Sequence, residues 1–205
     1  MQPTHVWYAA YGSNMSAARL HYYIQGGRPP GTTRDYPGCR DKTPPARDEP
    51  VMLPGGVYFA LQSRVWGGGL ALYDPALTGP VPARAYLLTT GQFSDLAAQE
   101  MHRPPGTDLD LTDVITTGRH QFGPGRYETL LAAGTRDGYP ILTLTAPWAS
   151  SDVEWTAPTA GYLQQIGTGL RETHGWTRDR IAAYVSDLPG ARGHWSPAAV
   201  ADLLP

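Results

Sequence analysis

Apolar residues recur along this chain mostly in short alternating runs, with helical spacing confined to a few segments. Val6, Tyr8 and Ala10 alternate with the equally apolar Trp7 and Ala9, the pattern of a strand covered on both faces. Leu20, Tyr23 and Ile24 then fall on one stripe, which predicts a helix over Met15–Gln25 stopped by Gly26-Gly27. Strands are predicted at Val51–Leu53, Val57–Gln62, Gly67–Tyr73 and Ala83–Thr89. A helix follows from Phe93 to about His102, opened by Thr90-Gly91-Gln92 and ended by Pro104-Pro105. Asp113–Thr117, Tyr127–Gly134 and Ile141–Thr145 read as further strands, the last two joined at Asp137-Gly138, a hairpin turn. Tyr162, Leu163, Ile166 and Leu170 stripe a helix from Thr159 to about His174. Thr177 caps another to Val185, and Ser196-Pro197 opens a short last one, serine at N-cap and proline at N1. Strands in the middle, with helices at the start, middle and end, predict an α+β fold. It is a small curved mixed β-sheet or barrel of about five to seven strands with helices packed around it.

Composition sharpens this picture. With 24 glycines and 20 prolines in 205 residues, turns are frequent and a helical bundle is excluded. The formal net charge is −2 and no Lys/Arg run is present, so nucleic acid is not an expected partner. No run reaches membrane-spanning length, and Met1–His5 carries no basic region leading into an apolar one. A cytoplasmic protein with no membrane partner is the expectation. The single cysteine, Cys39, excludes an internal disulfide. Residues 28–50 carry no apolar period and read as a long surface loop, and residues 148–158 form another polar loop.

The passage Tyr11-Gly12-Ser13-Asn14-Met15 joins the first strand to the first helix through a tight turn. Gly12 admits a close bend where a side chain would clash. The N–H groups of a first helical turn have no internal partner and face the positive end of the dipole, so such a turn can hold a carboxylate or a developing oxyanion. The same pattern also serves as a plain N-cap at Asn14 or Ser16. Glu100 lies four residues after Leu96, on the apolar side of its helix. There it is either a structural ion partner or a general acid/base. His102 suits the negative helix end.

Several segments in order resemble the γ-glutamylcyclotransferase family, which includes AIG2-like plant proteins and butirosin-pathway cyclotransferases. Tyr11–Met15 resembles its YGSN loop, and Leu96-Ala97-Ala98-Gln99-Glu100-Met101 resembles its L-D-x-x-E-G segment. Gly68-Gly69-Leu70-Ala71 is similar to its glycine-rich strand, and Tyr127 falls at the tyrosine after the glutamate motif. Pro158–Gly169, with Tyr162, is similar to its P-x-x-Y-L-x-x-I-x-x-G helix. Ala97 and Met101 depart from the pattern. The resemblance implies a γ-glutamylcyclotransferase-like domain over residues 1–175; residues 176–205 extend past it and are expected to form a helical extension packed on the same domain. It implies Glu100 as catalytic acid/base, with Tyr11, Gly12, Ser13, Asn14, Met15, Tyr127 and Tyr162 binding a small γ-glutamyl substrate. Ring closure to 5-oxoproline would then release an amine, without metal or cofactor. The loops Arg28–Pro50 and Ala146–Pro158 would set specificity, and Arg34, Arg40, Lys42 and Arg47 either meet an acidic leaving portion or stay solvated.

Other chemistries fit less well. Cys39 lacks a cysteine-hydrolase signature, and Ser13 lacks the G-x-S-x-G elbow. The six histidines are scattered, unlike the clustered ligands of a zinc-dependent deacylase such as a histone deacetylase. The rival of another class is a catalytically silent relative that binds a small metabolite or serves as an interaction module, kept open by Ala97 and Met101.

Overall fold

The computed structural model describes residues 2–30, 32 and 34–204. Met1, Gly31, Thr33 and Pro205 lie outside the described residues, so the expected 1–175 domain, 28–50 loop and 176–205 extension are described without them. In chain order the elements are β1 (His5–Ala10), α1 (Ala17–Gln25), β2 (Arg47–Pro54), β3 (Gly56–Ala60), β4 (Leu70–Asp74) and β5 (Pro80–Thr89). Then come α2 (Thr90–Glu100), α3 (Thr112–Thr117), β6 (Arg119–Gln121), β7 (Thr129–Arg136) and β8 (Tyr139–Thr145). The chain ends with α4 (Ala160–His174), α5 (Arg178–Asp187) and α6 (Pro197–Leu203). The fold is α+β. Two compact units share it: one holds the residues up to Ala10, Ala18–Val51 and Arg84–Pro147, the other Tyr11–Ala17, Met52–Ala83 and the chain from Trp148 on.

The first unit is built on a mixed six-stranded sheet in the order β2-β5-β1-β8-β7-β6. That order is linear, so among the described residues the strands form an open sheet rather than a closed barrel. β1 runs antiparallel to β5, from His5 opposite Thr89 to Ala10 opposite Arg84, and parallel to β8. A strand inside a sheet with both faces covered needs apolar residues throughout, and Val6–Ala10 are all buried. At the β7–β8 turn Asp137 and Gly138 have φ of 51° and 81°, both positive as a type I′ hairpin requires. α2 packs on β1, with the Phe93 ring 6.1 Å from that of Tyr8. Its start is a reciprocal capping box: the Thr89 hydroxyl accepts the Gln92 N–H, and the Gln92 side-chain oxygen accepts the Thr89 N–H, each at 3.1 Å.

Two expectations fail here. Asp113–Thr117 is helical, not a strand. The β-branched run is held as a helix by burial of Val114, by Thr116 and Thr117 hydroxyls donating to the carbonyls of Thr112 and Asp113, and by left-handed Gly118 at its end. The expected 28–50 loop ends early, because β2 already begins at Arg47 as an edge strand with exposed charged residues.

The second unit pairs β3 with β4 antiparallel, from Gly56 opposite Asp74 to Ala60 opposite Leu70. α4, α5 and α6 pack on one another. Thr177 and Ser196 cap α5 and α6 as expected, accepting the N–H groups of Arg180 (3.3 Å) and Ala199 (3.1 Å). Among the described residues no helix is long and apolar enough to cross a membrane.

Candidate active site

In the second unit, the chain enters a single 3-10 turn at Ser13–Met15 before α1 begins at Ala17. The helix therefore starts two residues later than expected. The N–H groups of Met15 and Ser16 close the turn on the carbonyls of Gly12 and Ser13, each at 3.1 Å. The Ala17 N–H, at the head of α1, donates to the Glu172 carboxylate at 3.2 Å, so the protein itself supplies an anion there. Gly12 has φ −112°, on the side of the map that other residues occupy. It is glycine for space: a Cβ would lie 3.3 Å from the Tyr162 hydroxyl and 3.7 Å from the Ala71 Cβ.

α4 braces this turn at two points. The Tyr162 hydroxyl accepts the Ala71 N–H at 3.2 Å, and its ring stacks on Trp66 at 5.6 Å. One end of the helix contact is made by Gly169, where a Cβ would come within 2.5 Å of the Met15 Cβ and 2.9 Å of the Ser16 nitrogen. The glycines before β4 serve the same assembly. A Cβ on Gly69 would stand 2.0 Å from the Thr156 carbonyl oxygen, and its N–H donates to the Ala157 carbonyl at 2.8 Å. They seat the segment that leads into α4.

In the first unit, Glu100 is the half-buried last residue of α2. The helix closes in a Schellman arrangement, with His102 N–H on the Gln99 carbonyl (3.2 Å) and Arg103 N–H on that of Ala98 (2.8 Å). His102 takes the left-handed position at φ 57°, while Met101 has φ −76°. Methionine in place of the family-like glycine therefore costs the backbone nothing. Ala97 is fully buried, so it is a packing position.

Around Glu100 the fold gathers residues that the sequence reading did not join. Tyr23, from α1, is buried, and its carbonyl accepts the Gln99 side-chain N–H at 3.0 Å. Burial first, then the negative charge of Glu100, holds the Tyr23 phenol well above its ordinary pKa, against the opposing pull of Arg19 and Arg34. It stays protonated. The Tyr36 ring lies tilted against that of Tyr23, 4.7 Å between centres, and the guanidinium of buried Arg19 lies 4.8 Å from the Tyr36 ring and donates to its hydroxyl. Arg19 and Tyr23 are four apart on α1, a spacing that puts them on one face and was the available signal.

Tyr127, expected at the start of a strand, instead precedes β7 in a left-handed conformation, φ 63°. Its neighbour Glu128 pins this bend, taking the Gly125 N–H on its carboxylate at 2.6 Å and the Phe122 N–H on its carbonyl at 2.8 Å, with Arg103 paired to the carboxylate. A bulky residue held at positive φ by its surroundings marks strain of the kind that collects at functional sites. Cys39 is buried, its thiol donating to the carbonyls of Tyr23 (3.3 Å) and Gln92 (3.5 Å). Burial, then Asp95 and Asp41, pushes its pKa up to about 12, so it is no nucleophile. Among the described residues no cluster of three His, Cys, Asp or Glu side chains is arranged to hold a metal.

A solved structure named "Gamma-glutamyl cyclotransferase" aligns with 97% of this chain and 97% of its own, with a TM-score of 0.53 at 14% identity. The uncharacterized Homo sapiens protein loc79017 matches over 98% of both chains, also with a TM-score of 0.53 at 14% identity. The chain has the γ-glutamyl cyclotransferase fold. At that identity the likeness is one of fold. A curated relative, "Histone deacetylase 5" from Arabidopsis thaliana, is 29% identical over 198 residues, covering 88% of this chain. The match spans 30% of that relative's length. No family profile matches the chain.

Proposed function

We propose that this γ-glutamyl cyclotransferase-fold protein is an enzyme that releases 5-oxoproline and an amine from a small γ-glutamyl substrate. The free α-amine of the substrate attacks its own side-chain carbonyl. A new C–N bond closes the five-membered ring, and the old one to the departing amine breaks. The α-amine loses a proton and the leaving nitrogen gains one, so one carboxylate can serve as base and then as acid. Glu100 has that role. The backbone N–H groups of Gly12–Asn14 hold the substrate carboxylate or the oxyanion of the tetrahedral intermediate. Tyr11 and Met15 complete that binding turn, Tyr162 holds it in shape, and Tyr127 is a further lining residue. Because the ring closes within one molecule, holding the reactive conformer supplies much of the rate. Residues 1–175 carry the activity, and 176–205 are an extension.

The observation that carries this reading is the setting of Glu100: a half-buried carboxylate at a tightly closed helix end, beside a buried phenol that stays protonated. The silent-relative alternative drew on Ala97 and Met101, and neither residue disturbs that helix end. The test is to incubate the protein with γ-glutamyl amino acids and γ-glutamyl amines and follow 5-oxoproline by mass spectrometry. Turnover of at least one is expected. Glu100→Gln should lower it by about 100-fold or more while leaving thermal unfolding unchanged. A silent panel with an acidic ligand still bound by calorimetry would favour the binding module.

A further inference from the structure

Of Arg34, Arg40, Lys42 and Arg47, which face the choice between an acidic leaving portion and solvent, three are committed by the fold. Arg40 pairs with Asp95 and Asp108, and Arg47 with Glu49 and Asp137. The Lys42 ammonium donates to the Gln25 carbonyl at the end of α1, at 2.7 Å. Arg34 differs. It is half-buried, and among the described residues no carboxylate lies within ion-pair reach of it. One N–H of its guanidinium goes to the Gln99 carbonyl at 2.9 Å, and the group lies 4.5 Å from the Tyr36 ring. Tyr36 thus has a second guanidinium besides that of Arg19 against its ring.

A guanidinium carries five N–H donors in one rigid fork, and only one of Arg34's is taken by Gln99. The fork suits a carboxylate held by two parallel bonds, the strongest pairing open to it. Its position adds the substrate logic. In a γ-glutamyl amino acid the carboxylate of the departing portion is two bonds from the nitrogen that must gain a proton. A cation reading that carboxylate therefore has to adjoin the proton donor. Arg34 is tied to the backbone of the residue that precedes Glu100.

We infer that Arg34 is a specificity-determining residue that holds a carboxylate on the leaving portion, so that γ-glutamyl amino acids are preferred over γ-glutamyl amines. The inference rests on the proposed cyclotransferase reading. Its test is binding rather than turnover, so that the two can fail separately. γ-Glutamylalanine and γ-glutamylethylamine differ only in that carboxylate. By calorimetry on the Glu100→Gln protein, the alanine compound is expected to bind about tenfold tighter or more. Adding Arg34→Ala should abolish the preference and leave the ethylamine compound's affinity unchanged, while Arg34→Lys should restore only part of it. No preference in the Glu100→Gln protein, or no binding of either compound, overturns the inference. Equal weakening of both compounds by Arg34→Ala also overturns it, because Arg34 would then act only by anchoring Gln99. Absence of turnover in the unaltered protein, with the carboxylate preference intact, sinks the cyclotransferase reading and leaves Arg34 as a carboxylate-binding residue.

Discussion

The hydroxyl of Tyr162 stands 3.3 Å from the point where Gly12 would carry a Cβ. One residue is on the turn after β1 and the other on the buried stripe of α4, so two segments 150 residues apart in sequence set one another's geometry. The stripe tyrosine is at once a core residue, 3% exposed, and a wall of the turn.

Gly12→Val places a branched side chain against that hydroxyl and the Ala71 Cβ. Either the Tyr162 hydroxyl or the turn must give way, and we expect loss of affinity for γ-glutamyl compounds with a stability cost of about 1–3 kcal/mol. Calorimetry and denaturant unfolding measure the two effects. Unchanged affinity would move the binding site away from this turn.

Tyr127→Phe keeps the ring and the left-handed backbone pinned by Glu128 and removes only the hydroxyl. Activity should fall more than stability. The opposite ordering, a clear drop in unfolding midpoint with turnover kept, would make Tyr127 a structural residue.

Cys39 should resist alkylation in the folded protein at neutral pH, because its buried thiol, with a pKa pushed up to about 12, holds almost no thiolate. Mass spectrometry after iodoacetamide treatment should show one modification in denaturant and none without. Rapid labelling of the native protein would contradict the buried placement.

His174 gives a pH dependence of known sign. Burial, with a further contribution from Arg180, lowers its pKa below the ordinary histidine value, against the opposing effect of the Ala83 carbonyl that its Nε2–H meets at 3.1 Å. The unfolded chain therefore binds the proton first, and stability is lost as pH falls through the ordinary value of about 6.5. His174→Gln should lose less unfolding free energy than the unaltered protein between about pH 7.5 and about pH 5. Parallel curves would show that His174 does not titrate with folding.

Much of the scaffold was legible because it depends on local periodicity and local turn chemistry. The doubly apolar run Val6–Ala10 could only be an interior strand, and the Tyr162–Leu170 stripe could only bury one side of a helix. Thr177, Ser196 and Asp137-Gly138 announce their caps and hairpin through side chains and φ angles that act within a few residues. Where tertiary contacts outweigh propensity, the pattern misleads: Asp113–Thr117 reads as a strand and lies in the helix Thr112–Thr117. The charged start of β2 reads as loop, because an exposed edge strand needs no apolar alternation.

Glu100 could be placed by its helix, and the Tyr11–Met15 turn by its strand and glycine, from sequence alone. What surrounds them could not. Arg19, Tyr23, Arg34 and Tyr36 come together at the end of α2 because α1 and the loop after it pack there, a placement written in no spacing between residue 36 and residue 99. The glycines at 12, 69 and 169 look alike in the sequence, as permissive backbone. Only the folded chain separates their reasons, since each leaves room for a partner that arrives from more than 80 residues away: the Tyr162 hydroxyl, the Thr156 carbonyl and the Met15 side chain. Periodicity along a chain determines which residues are buried; which buried residues touch is decided when distant segments compete for the same volume.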